Sequence, residues 1–184
     1  DVALALNEDE LTILCAAADR DWSGVEPAIF GGLMEKALSP DERSLLGAHY
    51  TPRAYVERLV EATIMDGLRE EWTSVQSNAV DAYKNGQAAR ARKAVRTYHR
   101  RLCEIRVLDP ACGTGNFLYV AMELMKALED EVLSQLDQFG DHQALKKIAK
   151  VSVGPRQFLG IEKNAHAAWI AEIVMWVGHL QGHY

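Results

Sequence analysis

Cysteine is scarce in this sequence, and the spacing of the few present indicates no covalent or metal cross-link. The 184 residues include three cysteines, Cys15, Cys103 and Cys112, and no two of them form a C-x-x-C pair. This excludes a disulfide framework and a zinc ribbon, and no metal site is predicted. A chain with free thiols suits a reducing compartment, so the predicted location is the cytoplasm.

Long apolar runs and an excess of positive charge are also missing. No apolar run approaches the ~20 residues of a membrane-spanning helix, so no membrane partner is predicted. There are 20 Lys and Arg against 26 Asp and Glu, giving a formal net charge of −6. That charge argues against an autonomous binder of naked nucleic acid. The chain opens on Asp1 without a Met or a signal peptide, and it is therefore expected to be a piece of a longer protein.

The sequence does contain a hydrophobic share of 48%, enough for one folded core, and its first part is patterned as helices. Asn7 followed by Glu10 is a capping-box pattern. Thr51-Pro52 predicts the start of a longer helix with five apolar residues facing inward, namely Tyr55, Val56, Leu59, Val60 and Ile64. Residues 85–101 are rich in Ala and Arg and predict another helix. Residues 1–103 are therefore predicted to be a mostly helical N-terminal region.

The pattern changes after residue 104 to alternating strands and helices. Short apolar strands are predicted at residues 105–108 and 158–161, and helices at 116–136, 141–150 and 165–180. This alternation is typical of a parallel α/β sheet. Because a parallel sheet needs more than two strands, residues 104–184 are predicted to be the start of an α/β domain that is incomplete in this chain.

The segment DPACGTGNF, residues 109–117, is a glycine-rich turn between a strand and a helix. Such a turn lets the backbone approach a ligand closely. A phosphate-binding P-loop needs Lys and then Ser or Thr after its second glycine, whereas Asn116 and Phe117 follow here. A dinucleotide fingerprint needs a third small residue, and Leu118 occupies that position. S-adenosylmethionine, which has no phosphates, remains as the predicted cofactor.

Two carboxylates follow the predicted strands and suit that cofactor. Asp109 could accept a hydrogen bond from the methionine amino group, and Glu162 could accept bonds from both ribose hydroxyls. Ligands of open α/β sheets lie across the carboxyl ends of the strands, so both side chains would face one crevice. Glu162 lies 47 residues after Gly115, a longer gap than the ~20 residues of a minimal dinucleotide unit. The predicted helix at 141–150 accounts for the difference.

These residues resemble a known family. DPACGTGNFL at 109–118 resembles motif I of amino-DNA methyltransferases, particularly the adenine-N6 enzymes, and LGIEKN at 159–164 resembles their motif II. GAHYTP at 47–52 is similar to their motif X. The order X, I, II matches the subgroup with motif X before motif I. Residues 22–32 and 176–181 resemble the methyltransferase region of large single-chain restriction-modification enzymes. The resemblance implies a Rossmann-like, S-adenosylmethionine-dependent methyltransferase sheet.

The resemblance also implies roles for individual residues. Thr51 would hold the cofactor carboxylate with Tyr50 packing nearby. Glu162 would take the ribose, while Lys163 and Asn164 would lie beside the adenine. The methionine and ribose would be lined by Asp109, Ala111, Cys112, Gly113 and Gly115.

The same family needs an Asn/Asp-Pro-Pro-aromatic loop for catalysis, and this sequence has none. No Asn precedes a proline and no two prolines are adjacent. The intact protein is therefore expected to methylate adenine N6 in double-stranded DNA, in a restriction-modification or phage-defence system. This chain alone is expected to be inactive and to bind DNA weakly or not at all. A protein-glutamine or RNA methyltransferase fragment and a non-catalytic interaction module are the alternatives.

Several of these residues also have plainer interpretations. Thr51 could simply begin a helix as a cap, and Cys112 is predicted to be a small buried filler. The basic stretch at 90–106 could follow phosphates, but a solvated helix face is favoured. Trp169 and Trp176 predict a core stripe.

Overall fold

The computed structural model describes residues 6–21, 25–29, 31–33, 51–142 and 151–181. The helices are α1 (Glu8–Ala18), α2 (Arg53–Val60), α3 (Asp66–Lys84), α4 (Ala88–Glu104), α5 (Asn116–Gln138) and α6 (Ala165–Gln181). A π-helical turn, Glu61–Met65, joins α2 to α3, and a 3-10 turn, Pro155–Gln157, precedes the second strand. The strands are β1 (Val107–Asp109) and β2 (Phe158–Gly160). The described residues are thus mostly helical, with the expected strand–helix–strand–helix order after α4.

The capping box predicted for α1 is present. The Asn7 side chain accepts a hydrogen bond from the Glu10 backbone N–H at 2.9 Å, and the Glu10 carboxylate accepts one from the Asn7 N–H at 2.9 Å. Two of the four free N–H groups at this helix end are thereby satisfied. Within the described residues, no side chain of α1 is buried.

The inward face predicted for the helix after Pro52 is only partly correct. Val56 and Val60 are buried, and Ile64 packs against the core. Tyr55 and Leu59, however, are 64% and 52% exposed. Each of these two residues immediately precedes a buried valine, so its side chain points about 100° away from that valine around the helix axis. Because α2 packs against α5 along its valine side, the other two apolar residues face away from that contact.

Helix α5 is the centre of the core. It contacts α2, α4, α6 and both strands, and its fully buried side chains include Met125, Leu128 and Val132. Most buried apolar side chains of the described residues form one cluster that runs from α2 through β2 to α6. The two predicted parts of the chain therefore share one core, and their boundary at residue 103/104 stays a prediction.

The two strands form a parallel pair with α5 in the connection between them. Val107 pairs with Phe158, Leu108 with Leu159, and Asp109 with Gly160. Phe158 is buried, whereas Leu108 and Leu159 are 57% and 44% exposed. Parallel sheets are normally covered on both faces. No described residue covers this second face, which is consistent with an incomplete α/β fold.

The outer side of α6 is also open among the described residues. Trp169 is 64% exposed and Trp176 is 42% exposed, so the prediction that they form a core stripe is wrong. Each ring instead lies edge-on to a histidine of the same helix, His166 and His179 respectively. The buried side of α6 is formed by Ala167, Ala171, Val174 and Met175.

Two arginines of the basic stretch have internal roles. Arg92 donates from Nε to the Phe139 carbonyl at 2.8 Å, and Arg96 forms an ion pair with the buried Asp141. Both contacts lie just beyond the C-terminal end of α5. A 23-residue helix is about 35 Å long, so this end is remote from the glycine-rich turn at the start of α5. The position of these arginines supports a structural role.

A buried polar network links α4, α5 and the segment before β2. Glu129 on α5 accepts hydrogen bonds from His99 Nε2 at 2.7 Å, Ser152 Oγ at 2.6 Å and the Val153 N–H at 3.0 Å. Nearby, Gln157 Nε2 donates to the carbonyls of Leu102 and Ile105. These bonds hold the end of α4 and the start of β2 together, and they therefore help to set the strand register.

The predicted helix at 141–150 falls largely on residues 143–150, which lie outside the described residues. None of the described helices is both long enough and apolar enough to cross a bilayer.

Candidate functional site

The glycine-rich turn begins where β1 ends and finishes where α5 begins. Gly113 and Gly115 have φ values of +55° and +84°, in the left-handed region that favours glycine. The Asp109 side chain accepts a hydrogen bond from the Ala111 N–H at 3.0 Å, and the Gly115 N–H donates to the Cys112 carbonyl at 2.8 Å. The turn is thus held by its own hydrogen bonds, with Asp109 at its entrance.

Glu162 joins the segment that follows β2 to this turn. One of its carboxylate oxygens accepts the Gly113 N–H at 3.0 Å, and the other accepts the Asn164 N–H at 2.8 Å. The Cys112 N–H also donates to the Ile161 carbonyl at 3.1 Å. Two segments far apart in sequence therefore meet at the carboxyl edge of the strand pair. A carboxylate has about four acceptor positions, so Glu162 retains room for further donors.

The two turn glycines differ in what surrounds them, and this leads to a stability prediction. A Cβ on Gly115 would lie 3.0 Å from the Ala171 Cβ and 3.1 Å from its Cα, whereas a Cβ on Gly113 would meet none of the described residues within 4 Å. We expect Gly115→Ala to lower the free energy of unfolding by about 3 kcal/mol, because left-handed strain adds to crowding against α6. Gly113→Ala should cost about 1 kcal/mol from strain alone. Urea unfolding followed by circular dichroism measures both, and equal losses would contradict the close approach of α6.

Cys112 is a packing residue of the turn, as predicted. It is buried, and burial together with the nearby Asp109 and Glu162 carboxylates raises the pKa of its thiol. A Cβ on Gly160 would lie 2.5 Å from the Cys112 sulfur, so the glycine in β2 makes room for this side chain. A thiol with a raised pKa is a weak nucleophile at neutral pH, which fits a filler better than a reactive group.

Thr51 lies beside the turn, while Tyr50 lies outside the described residues. Pro52 is the cap of α2, and no side-chain capping hydrogen bond is present there, so the structure does not use Thr51 as a helix cap. The Thr51 carbonyl instead accepts a hydrogen bond from Asn116 Nδ2 at 2.9 Å. Predicted motif X and predicted motif I are therefore in direct contact.

Arg53 strengthens the same junction, and sequence reasoning missed it. Its guanidinium forms ion pairs with Glu57 at 2.6 Å, Glu26 at 2.7 Å and Glu123 at 2.6 Å. Burial alone would lower the pKa of Arg53, but the hydrogen bonds to these carboxylates raise it above its ordinary value. The partners come from three different segments, and only the i, i+4 spacing to Glu57 could have been seen in the sequence.

The remaining predicted residues follow Glu162. Lys163 is exposed. The Asn164 side-chain oxygen accepts the backbone N–H groups of His166 at 3.0 Å and Ala167 at 3.4 Å, and it therefore caps α6. This capping role was not predicted, although Asn is among the preferred residues at such a position. The placement of Lys163 and Asn164 beside an adenine stays a prediction.

His99, Cys103 and Glu129 form a second polar cluster, away from the turn, with donor atoms within 4.8 Å of one another. Both Glu129 oxygens already accept hydrogen bonds from the protein. Burial, with Glu129 nearby, raises the pKa of the Cys103 thiol to about 12. The cluster is therefore interpreted as a hydrogen-bonded support of the fold.

Comparisons with known proteins identify relatives of this chain. Residues 84–183 match the family model described as MmeI, DNA-methyltransferase domain. DNA methyltransferase A of Bacillus subtilis (strain 168) is 26% identical over 162 residues, which is 88% of this chain and 16% of that protein. A putative type II restriction enzyme and methyltransferase of Methanocaldococcus jannaschii is 23% identical over 171 residues, 85% of this chain and 14% of that protein.

A solved structure matches over nearly the whole chain. The type IIL restriction-modification enzyme MmeI, in complex with DNA, has a TM-score of 0.79 at 31% identity, covering 96% of this chain and 22% of that one. The chain thus spans less than a quarter of the length of each of these relatives. On this evidence the chain belongs to the MmeI DNA-methyltransferase domain family, the methyltransferase region of large restriction-modification enzymes.

Proposed function

We propose that this chain binds S-adenosylmethionine and supplies the cofactor-binding part of an enzyme that methylates adenine N6 in double-stranded DNA. The observation that carries the proposal is the pair of hydrogen bonds that the Glu162 carboxylate accepts from the Gly113 and Asn164 N–H groups. They bring the glycine-rich turn and the segment after β2 that carries Glu162 to the carboxyl edge of the strands, where ligands of α/β sheets bind. Relatives named as a DNA methyltransferase and as a restriction enzyme and methyltransferase support DNA as the substrate.

The described residues fit this cofactor in three respects. Gly113 leaves open space where any other residue would place a Cβ, so a ligand can approach the backbone. Asp109 and Glu162 supply acceptors for an ammonium group and for ribose hydroxyls. The turn carries no lysine that could bind a phosphate, and S-adenosylmethionine has no phosphate group.

When bound, the cofactor supplies an activated methyl group on a sulfonium. The chain's own residues would bind and orient it. Glu162 would hold the ribose, Asp109 the methionine amino group and Thr51 the carboxylate, which would fix the direction of the sulfonium. Such orientation contributes to rate by holding the reacting atoms in line. Residues 104–184 would be the start of the α/β cofactor domain and residues 1–103 its helical companion.

Calorimetric titration of the chain with S-adenosylmethionine tests the proposal. We expect one cofactor bound per chain and no binding of NAD, whose pyrophosphate finds no cradle in this turn. In a transfer assay with radiolabelled cofactor, we expect no methylation of double-stranded DNA, because the sequence lacks an Asn/Asp-Pro-Pro-aromatic loop. Failure to bind the cofactor would overturn the proposed function. Methyl transfer by this chain alone would overturn its expected inactivity.

A further inference from the structure

Asn116 has an unusual partner for the first residue of a helix. It follows Gly115 directly, is half-buried, and donates from Nδ2 to the Thr51 carbonyl at 2.9 Å across 65 positions of sequence. The cap of α5 is Gly115, and no side-chain capping bond is present at this helix end. The Asn116 amide therefore serves a contact between segments.

Through this contact, Thr51 is linked to the glycine-rich turn by a direct hydrogen bond. Thr51 is also anchored on its other side, because Arg53 pairs with Glu123 of α5 and with Glu26. Arg53 fixes helix α2 against α5, while Asn116 fixes Thr51, which lies two residues before α2. Together they determine how far Thr51 stands from the turn.

We propose that Asn116 is a positioning residue that holds Thr51 at the distance needed to receive the carboxylate of the cofactor's methionine. The inference rests on the proposed function. It adds Asn116, whose side chain would affect cofactor binding only through the position of Thr51. The amide of Asn116 donates to the Thr51 carbonyl, so this contact uses neither the Thr51 hydroxyl nor its N–H. The carboxylate end of the cofactor should depend on Asn116, whereas the adenosine end should not.

This difference gives a direct test with two ligands on the full chain. S-adenosylmethionine carries the methionine ammonium and carboxylate, whereas 5′-methylthioadenosine keeps the adenosine and the sulfur but lacks both groups. For Asn116→Ala we expect S-adenosylmethionine binding to weaken about five- to tenfold, the loss of one positioned hydrogen bond. Binding of 5′-methylthioadenosine should stay within about twofold. Asn78→Ala, an exposed asparagine on α3, is the matched control and should change neither.

A second variant keeps the test informative if Asn116→Ala unfolds. Asn116→Asp has the same size but cannot donate, and a carboxylate at a helix N-terminus is favourable for folding. S-adenosylmethionine carries a net positive charge, so a new carboxylate by itself would strengthen its binding. A selective loss for this ligand in Asn116→Asp would therefore come from the lost link to Thr51.

The outcomes distinguish a failure of the proposed function from a failure of the positioning role of Asn116. If wild type fails to bind S-adenosylmethionine, the proposed function fails. If wild type binds and both ligands weaken equally in the variants, Asn116 only supports the fold and the positioning role is overturned. Unchanged binding of both ligands overturns it as well.

Discussion

Replacement of Glu162 by alanine is expected to weaken S-adenosylmethionine binding by about 100-fold. The carboxylate would accept hydrogen bonds from two ribose hydroxyls, and bonds to a charged group contribute about 1.5–3 kcal/mol each. A total loss of about 3 kcal/mol corresponds to roughly two orders of magnitude in Kd. The same side chain holds the Gly113 and Asn164 N–H groups, so its removal also loosens the turn. Calorimetric titration of wild type and variant measures the change.

The control is Glu172→Ala. Glu172 is an exposed glutamate on α6, and its loss should leave the affinity unchanged. Glu162 is only half-buried, so in the variant water can hydrate the Gly113 and Asn164 N–H groups that lose their acceptor. The variant is therefore expected to fold. Unaltered binding of S-adenosylmethionine by a folded Glu162→Ala chain would contradict the assignment of Glu162 to the ribose. The glycine-rich turn would then need another acceptor for the cofactor.

Replacement of Glu129 by alanine should lower the free energy of unfolding by about 3–5 kcal/mol, because three hydrogen-bond donors lose a shared buried acceptor at about 1–3 kcal/mol each. Both Glu129 and His99 are 3% exposed. Without the carboxylate, His99, Ser152 and the Val153 N–H lose their acceptor in a place that water reaches poorly. Urea unfolding at neutral pH measures the loss. Glu104→Ala, at the exposed end of α4, is the control and should change stability by less than about 0.5 kcal/mol.

The pH dependence of unfolding provides a second check on Glu129. Burial alone would raise the pKa of this carboxyl, but hydrogen bonds from His99, Ser152 and Val153 outweigh burial and lower it. A group whose pKa is lower in the folded protein stabilises the fold above its unfolded-state pKa, and this contribution is lost as pH falls through the folded value. Wild type should therefore lose stability more steeply than Glu129→Ala as the pH falls below about 5, toward and through the lowered pKa of this carboxyl. Parallel profiles would contradict the role of the carboxylate.

Local features of the chain could be predicted because their causes act over a few residues. The Asn7–Glu10 capping box depends on side chains three positions apart, and both of its hydrogen bonds are present. The apolar strands are short but bounded by Asp109-Pro110 and by Glu162. Strand β2 lies within its predicted range, whereas β1 begins two residues later than predicted and includes Asp109. The meeting of the glycine-rich turn with Glu162 follows from parallel strands, whose carboxyl ends share one edge.

Exposure was harder to predict, because it depends on which side of an element meets a neighbour. Tyr55, Leu59, Trp169 and Trp176 are all apolar at helical spacing, yet each is more than two-fifths exposed. Their helices carry more apolar residues than one packed face can cover. Periodicity identifies that a helix is amphipathic, but the packing of α2 and α6 against α5 selects the buried side.

The sequence by itself determined the alternation of strands and helices after α4, the glycine-rich turn and the two carboxylates that follow the strands, since caps, turns and strand ends are short-range effects. Only the tertiary structure decided the contact of Asn116 with Thr51, the three partners of Arg53 and the buried His99–Glu129 pair. In the first and last of these the partners are 65 and 30 positions apart. No local pattern marks such pairs, because an amide or an imidazole finds its partner only after α4 and α5 have packed and the segment before α2 has docked on the turn.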